Sequence, residues 1–158
     1  MNTTLDFTSQ SSARNSTIEL LVFEIGQLTL ALPILQVQKV VKRQRVHGSG
    51  LSHVNLAHLS DGEIAVVDLH QKLFGVSLSQ SEKGYFIITK NVRKEPLAIA
   101  VAQSPNLINV PLDRIRLLPD SYRRADTLEI ASHVTVISQE EQTTTIFILD
   151  LDRSILNR

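Results

Sequence analysis

Two aspartates in equivalent settings and one row of cations are the residues of this chain best suited to chemistry. Asp68 ends the apolar run Val66-Val67, and Asp150 ends Ile148-Leu149, 82 residues further on. A carboxylate pair is the equipment of general acid–base catalysis, but each Asp also has a sufficient local role. Asp is a strong helix N-cap, because its side chain accepts the unpaired N–H groups of a first turn. An apolar pair follows each, Leu73-Phe74 and Ile155-Leu156, one turn into the expected helix. His53, His58 and His70 lie near Asp68 in the chain. A metal needs three or four ligands converging on one point, and strand positions 53 and 58 fall on opposite faces. No metal site is assigned.

Lys39, Lys42, Arg43 and Arg45 follow one another with no acidic residue among them. A phosphate-tracking strand of an OB-like barrel, binding single-stranded nucleic acid along Lys39–Arg45, has this charge pattern. Such binders also stack bases on aromatic rings, and the segment has none. The plainer reading is a solvated strand face; as a functional patch it suits an acidic protein partner better than nucleic acid. Gly48-Ser49-Gly50 lacks the Lys and the following helix of a phosphate-binding loop. No nucleophile elbow or kinase signature occurs, and without cysteine there is no thiol chemistry, disulfide or iron–sulfur cluster. The expectation is a non-enzyme with no cofactor.

The elements that must position these residues read as strands. Leu21, Phe23 and Ile25 alternate with Leu20, Val22 and Glu24; Gly26-Gln27 turns the chain into Leu28, Leu30 and Leu32. Pro33 ends that strand and Ile34-Leu35 make a corner. Val37 to Val46 reads as one long strand, and 47–50 as a loop. Val54 to Leu59 and Glu63 to Asp68 form a hairpin across Asp61-Gly62, a favoured type I′ pair. A short helix, Leu69 to Phe74, stops at Gly75. After a polar connection from Ser77 to Lys83, Tyr85 to Thr89 pairs with Leu97 to Ala102, whose Ala98, Ala100 and Ala102 share one face. Leu107 to Val110 is a short strand, and Pro111 to Ile115 a single turn. A polar loop from Ser121 to Thr127 leads to a last hairpin, Ile130 to Ile137 with Thr143 to Asp150. The closing helix is Leu151 to Leu156. About ten short strands separated by turns predict an all-β protein of small closed barrels.

Composition agrees. The 158 residues fit one domain or two interlocked halves, and a 42% hydrophobic content with 4% aromatics means a core of Val, Ile, Leu and Ala. Sixteen acidic and sixteen basic residues balance, so strong non-specific attraction to nucleic acid or anionic membrane is not expected. Near-zero net charge suits a member of an assembly. No run approaches the ~18 apolar residues of a membrane span, and the N-terminus lacks a signal-peptide core; a soluble cytoplasmic protein is expected. Residues 1–16, rich in Asn, Thr, Ser and Gln, are read as a disordered tail. The structured part is 17–158, in related halves of about 17–76 and 84–150 with the closing helix at 151–156.

In this order the features resemble the CheW-like domains, the adaptors that couple chemoreceptors to the histidine kinase CheA. The resemblance rests on Leu21-Val22-Phe23-Glu24-Ile25-Gly26, on Ile34-Leu35-Gln36-Val37-Gln38-Lys39-Val40 and on Gly62-Glu63-Ile64-Ala65-Val66-Val67-Asp68-Leu69. In the second half it rests on Ala98-Ile99-Ala100-Val101 and Val110-Pro111-Leu112-Asp113-Arg114-Ile115. It implies two five-stranded SH3-like barrels sharing a core. It also implies two partners, the barrel domain at the C-terminal end of a CheA-like kinase and the helical tip of a methyl-accepting chemoreceptor. Recruitment to receptor–kinase assemblies at the inner face of the membrane follows. Ala98, and Ala102-Gln103, stand where the family usually has Gly and Asp-Gly, and two further departures reverse a charge. Lys39 stands where Glu is usual, and Asp61 where Arg is usual, so both charges are reversed. They read as a swapped pair that keeps an attraction between neighbouring strands, in a divergent adaptor of a pilus-motility or phototaxis type of pathway. Val37, Lys39, Val40, Arg43 and Asp61 are the candidate partner-facing residues, with Val37 and Val40 equally suited to a core.

Overall fold

A computed structural model describes residues 16–51, 53–77, 83–90, 95–119 and 130–151. The expected tail up to residue 15, the 121–127 loop and the closing helix beyond residue 151 lie outside them; Ser16, the last residue of that tail, accepts the Leu112 N–H through its carbonyl at 3.1 Å. The first half runs β1 (Thr17–Ile25), β2 (Leu28–Pro33), a 3-10 turn (Ile34–Gln36), β3 (Val37–Lys42), β4 (Val46–Leu51), β5 (Val54–Leu59), β6 (Gly62–Val67) and α1 (Leu69–Phe74). The second runs β7 (Tyr85–Lys90), β8 (Pro96–Val101), β9 (Asn106–Pro111), a 3-10 turn (Leu112–Arg114), β10 (Arg116–Leu117), β11 (Ala131–Gln139) and β12 (Gln142–Leu149). The two 3-10 turns are near copies. Pro33 and Pro111 cap them at φ −57° and −59°, and Val37 and Ile115 leave them with N–H bonds to Ile34 O and Leu112 O.

The strands form two six-stranded sheets of the same design, β10-β11-β12-β2-β1-β9 and β4-β5-β6-β8-β7-β3. Each contains one parallel pair, β12 with β2 and β6 with β8, and is otherwise antiparallel. The internal repeat is therefore a repeat of topology. The sheets do not follow the sequential boundaries 17–76 and 84–150, however. The hairpin β1–β2 belongs to the sheet of β9–β12, and β7–β8 to that of β3–β6. The count of six against an expected five has a simple origin. In each sheet the two outermost strands are consecutive in the chain, β3 with β4 and β9 with β10, so one bent segment supplies both seams of a five-stranded barrel.

This exchange explains why several strands are apolar on both faces. Leu21, Phe23 and Ile25 of β1 and Leu97, Ile99 and Val101 of β8 lie in one core shared by the barrels, closed by Leu69 and Leu73 of α1. Their alternate neighbours fill the barrel interiors: Leu20 and Ala31 pack with Val110, Ile146 and Ile148. Ala98 and Ala100 pack with Phe86, Ile88 and Val66 in the other barrel. The alanine face thus lets Phe86, fully buried, sit over β8. A strand buried on both sides reads as a continuous apolar run rather than a clean alternation.

Three local expectations are corrected. The long strand from Val37 to Val46 breaks after Lys42, where the Arg43 N–H bonds to Gly84 O at 3.0 Å. The expected loop at 47–50 belongs to β4, an edge strand that pairs with β5 and carries a register irregularity between Gly48 and Leu51; glycines in strands commonly mark such bulges. The β5–β6 connection is Ser60-Asp61, with Leu59 opposite Gly62 and Gly62 at φ +120°. The residues with paired positive φ, as a type I′ turn requires, are instead Glu140 (+47°) and Glu141 (+68°) between β11 and β12.

Asp68 is an N-cap. Its Oδ1 accepts from Gln71 N–H at 3.0 Å, its Oδ2 accepts from the Ser77 hydroxyl at 2.6 Å, and Gly75 ends the helix at φ +75°. Asp68→Ala is expected to cost about 0.5–2 kcal/mol, read as a lower denaturation midpoint with an unchanged m-value. A variant as stable as the parent would show that the cap is dispensable. Asp150 donates its N–H to Ile130 O at 2.9 Å, and the helix it is expected to cap lies outside the described residues.

Candidate partner-docking surface

β3 is an edge of its sheet, bonded in the ladder only to β7 among the described residues. It follows directly from the 3-10 turn at Ile34–Gln36, and its register slips between Val37 and Lys39. Such a bulge twists an edge strand and re-aims its side chains. Val37 is half-buried against the shared core. Lys39 and Lys42 are exposed, Val40 is 38% exposed, and Arg43 is half-buried. Asp61 is exposed at the tip of the β5–β6 hairpin.

The fold brings two of these residues into contact. Lys39 Nζ donates to Asp61 Oδ2 at 3.3 Å, with 47% and 82% of the two side chains exposed. The expected pairing across neighbouring strands is corrected: β7, β8 and β6 separate β3 from β5 in the sheet. The pair instead spans the side of the barrel where β3 approaches the hairpin tip. At this exposure it contributes only ~0.2–1 kcal/mol to folding. It is a surface mark more than a structural bolt.

The sequence reading missed Leu35. The Ile34-Leu35 corner gave no hint of it, and Leu35 stands 86% exposed in the turn leading into β3. A large apolar side chain at a Pro-bounded turn was the available signal. Leu35 and Val40 add apolar area to a strand otherwise marked by Lys39 and Lys42. That composition suits protein contact, where a partly apolar patch is rimmed by charge.

The histidines and aspartates do not converge. His53 is buried, whereas His58 is exposed, 3.5 Å from Glu63 Oε2 through Nε2 and with its ring 6.1 Å from that of His47. His70 packs on Phe74, and its Nδ1 lies 2.6 Å from Val76 O. Among the described residues no group of three or more His, Asp or Glu side chains is placed to hold a metal, and no helix is long and apolar enough to cross a membrane.

Comparison with known proteins gives the arrangement its context. The scaffolding protein TtCheW from Thermoanaerobacter tengcongensis has a similar crystal structure, with a TM-score of 0.70 over 86% of each chain at 16% identity. No curated protein matches the sequence. The sequence model of the CheW-like domain family matches residues 19–157. With nearly its whole length so matched, the chain belongs to the CheW-like domain family.

Proposed function

We propose that this protein is a non-catalytic adaptor that couples a chemoreceptor-type sensor to a CheA-like histidine kinase in a two-component motility pathway, chemotactic or phototactic. The observation that carries this reading is the family match over 19–157. The exposed edge strand β3, with its apolar Val40 and its ion-paired Lys39, and Leu35 in the turn before it, support it. An adaptor needs surfaces rather than a cleft, and an open strand edge beside a charged mark is such a surface. Val37, Lys39, Val40, Arg43 and Asp61 are the residues that face or orient partners. One partner is the C-terminal barrel domain of the kinase, the other the helical tip of a methyl-accepting receptor. The working place is the cytoplasm, at receptor–kinase assemblies on the inner face of the membrane. The functional unit is 17–158, and the residues before it are dispensable for folding.

The reversed charges of Lys39 and Asp61 make the partners cognate ones: a surface that shows Lys where a typical adaptor shows Glu selects a complementary partner. The test is affinity capture with the full chain from the cytoplasm in which it is made. Recovery of a multidomain histidine kinase is the expected result. Recovery of single-stranded nucleic acid, released steeply by salt, with no kinase would overturn the adaptor reading.

A further inference from the structure

Strand edges are templates for pairing with another chain, and proteins usually blunt them with lysines, prolines, bulges or shortness. All four outermost strands here carry such protection. β3 has Lys39, Lys42 and a bulge, β4 has a register irregularity, and β9 ends in Pro111. The fourth, β10, is only two residues long: Arg116 pairs with Val134 and Leu117 with His133. Beyond that point the β10 side of β11 has no ladder partner among the described residues. The stretch without a ladder partner on that side is Thr135-Val136-Ile137-Ser138-Gln139, in which the Thr135 side chain itself is buried. It has no charge, no Pro and no Gly, and its β-branched residues favour a strand. Val136 is 45% exposed.

The chain leaves this edge at the 3-10 turn Leu112–Arg114, where the Thr135 hydroxyl donates to Arg114 O at 2.9 Å. Between the departing segment and the strand lies a cavity of about 400 Å³, lined by Asp113, Arg114, Arg116, Val134, Thr135 and Val136. Asp113, Arg114 and Arg116 are all exposed. At the far end of the same strand Glu140 and Glu141 are exposed in the tight turn, both at positive φ. One edge therefore has two arginines and one aspartate at one end, a net positive cluster, and two glutamates at the other.

We propose that the edge of β11 left without a ladder partner among the described residues pairs antiparallel with the same edge of a second copy of this chain. In the resulting two-fold dimer Glu140 and Glu141 of each copy meet Arg114 and Arg116 of the other. Pairing centred on Ile137 sets Thr135 opposite Gln139 of the second copy and brings Glu140 level with Val134. Val134 is the residue whose cross-strand neighbour is Arg116, so the acidic tip reaches the cationic mouth at both ends. A C2 contact is isologous, and a surface that is charge-complementary to itself when reversed meets that requirement. Formal neutrality of the chain leaves little repulsion to oppose it. The contact is independent of the adaptor reading and of β3.

Sedimentation of the full chain over a range of concentrations tests the proposal. The expected result is a monomer–dimer equilibrium that shifts to monomer as salt rises, since exposed charge pairs are screened. Arg114→Glu with Arg116→Glu, and separately Glu140→Lys with Glu141→Lys, should each weaken self-association by more than ~10-fold, because like charges then face one another. Mixing the two variants should restore a heterodimer, in which every contact is again between opposite charges. All four positions are exposed, and unchanged melting of each variant checks the fold. A wild type that stays monomeric, a dimer indifferent to both reversals, or a mixture that does not associate would each overturn the proposal.

Discussion

Lys39→Glu is expected to leave the protein folded and to cost it most of its affinity for the kinase or the receptor. The ion pair with Asp61 is exposed, at 47% and 82%, so breaking it, or placing Glu beside Asp61, changes stability by less than ~1 kcal/mol. Binding is the sensitive quantity. A like-charge contact brought into an interface costs on the order of 3 kcal/mol, roughly a hundredfold in Kd. Lys39→Glu with Asp61→Arg restores an attraction across the 3.3 Å contact while presenting the opposite polarity. It should keep the fold and shift preference towards the partners of a typical array. A double-mutant cycle on stability and on partner affinity measures both. Additive effects in both measurements would leave the two residues as unrelated surface charges.

Gly84→Ala should produce the largest loss of stability. Gly84 opens β7 at φ +111°, a conformation that L residues rarely adopt. A methyl group there would lie against the Val101 carbonyl oxygen, well inside contact distance, and 3.3 Å from the Ala102 Cα. Both are backbone atoms, and β8 is held by its neighbours β6 and β7, so neither moves aside readily. Backbone strain of ~1–3 kcal/mol and overpacking of ~1–3 kcal/mol together predict a loss of about 2–6 kcal/mol. The Gly84 O bond that accepts from Arg43 N–H would shift with it, loosening the start of β7 against the end of β3. Equilibrium denaturation is the measurement. A loss under ~1 kcal/mol would mean that the β7–β8 register relaxes without cost.

Much of this molecule is carried by local pattern. The alternation of Leu21, Phe23 and Ile25 with Leu20 and Val22 gave β1, and the Pro33 and Pro111 corners marked the two 3-10 turns. Asp68 before Leu69 announced the helix cap, and Asp68 with Asp150 announced the repeat. These depend on interactions within a few residues, where side-chain period, capping and fixed proline φ act directly. The same logic failed where a local signal was weak. The glycines of 47–50 concealed β4, and the two residues of β10 were too few to show any period.

Other features depend on contacts far apart in the chain, and only tertiary packing decided them. Nothing in the composition of β6 or β12 says that its parallel partner is β8 or β2. That choice follows from burying both faces of β1, β2, β7 and β8 at once, which neither sequential half achieves alone. The family's charge pattern suggested that Lys39 and Asp61 attract. Barrel closure, bringing a strand to a hairpin tip it does not pair with, made the contact. The exposure of Leu35 and the unpaired stretch of β11 are likewise properties of what the other described strands leave uncovered. Periodicity says which face of a strand is apolar; it does not say which other segment covers it, because coverage is settled by the joint burial of all the strands together.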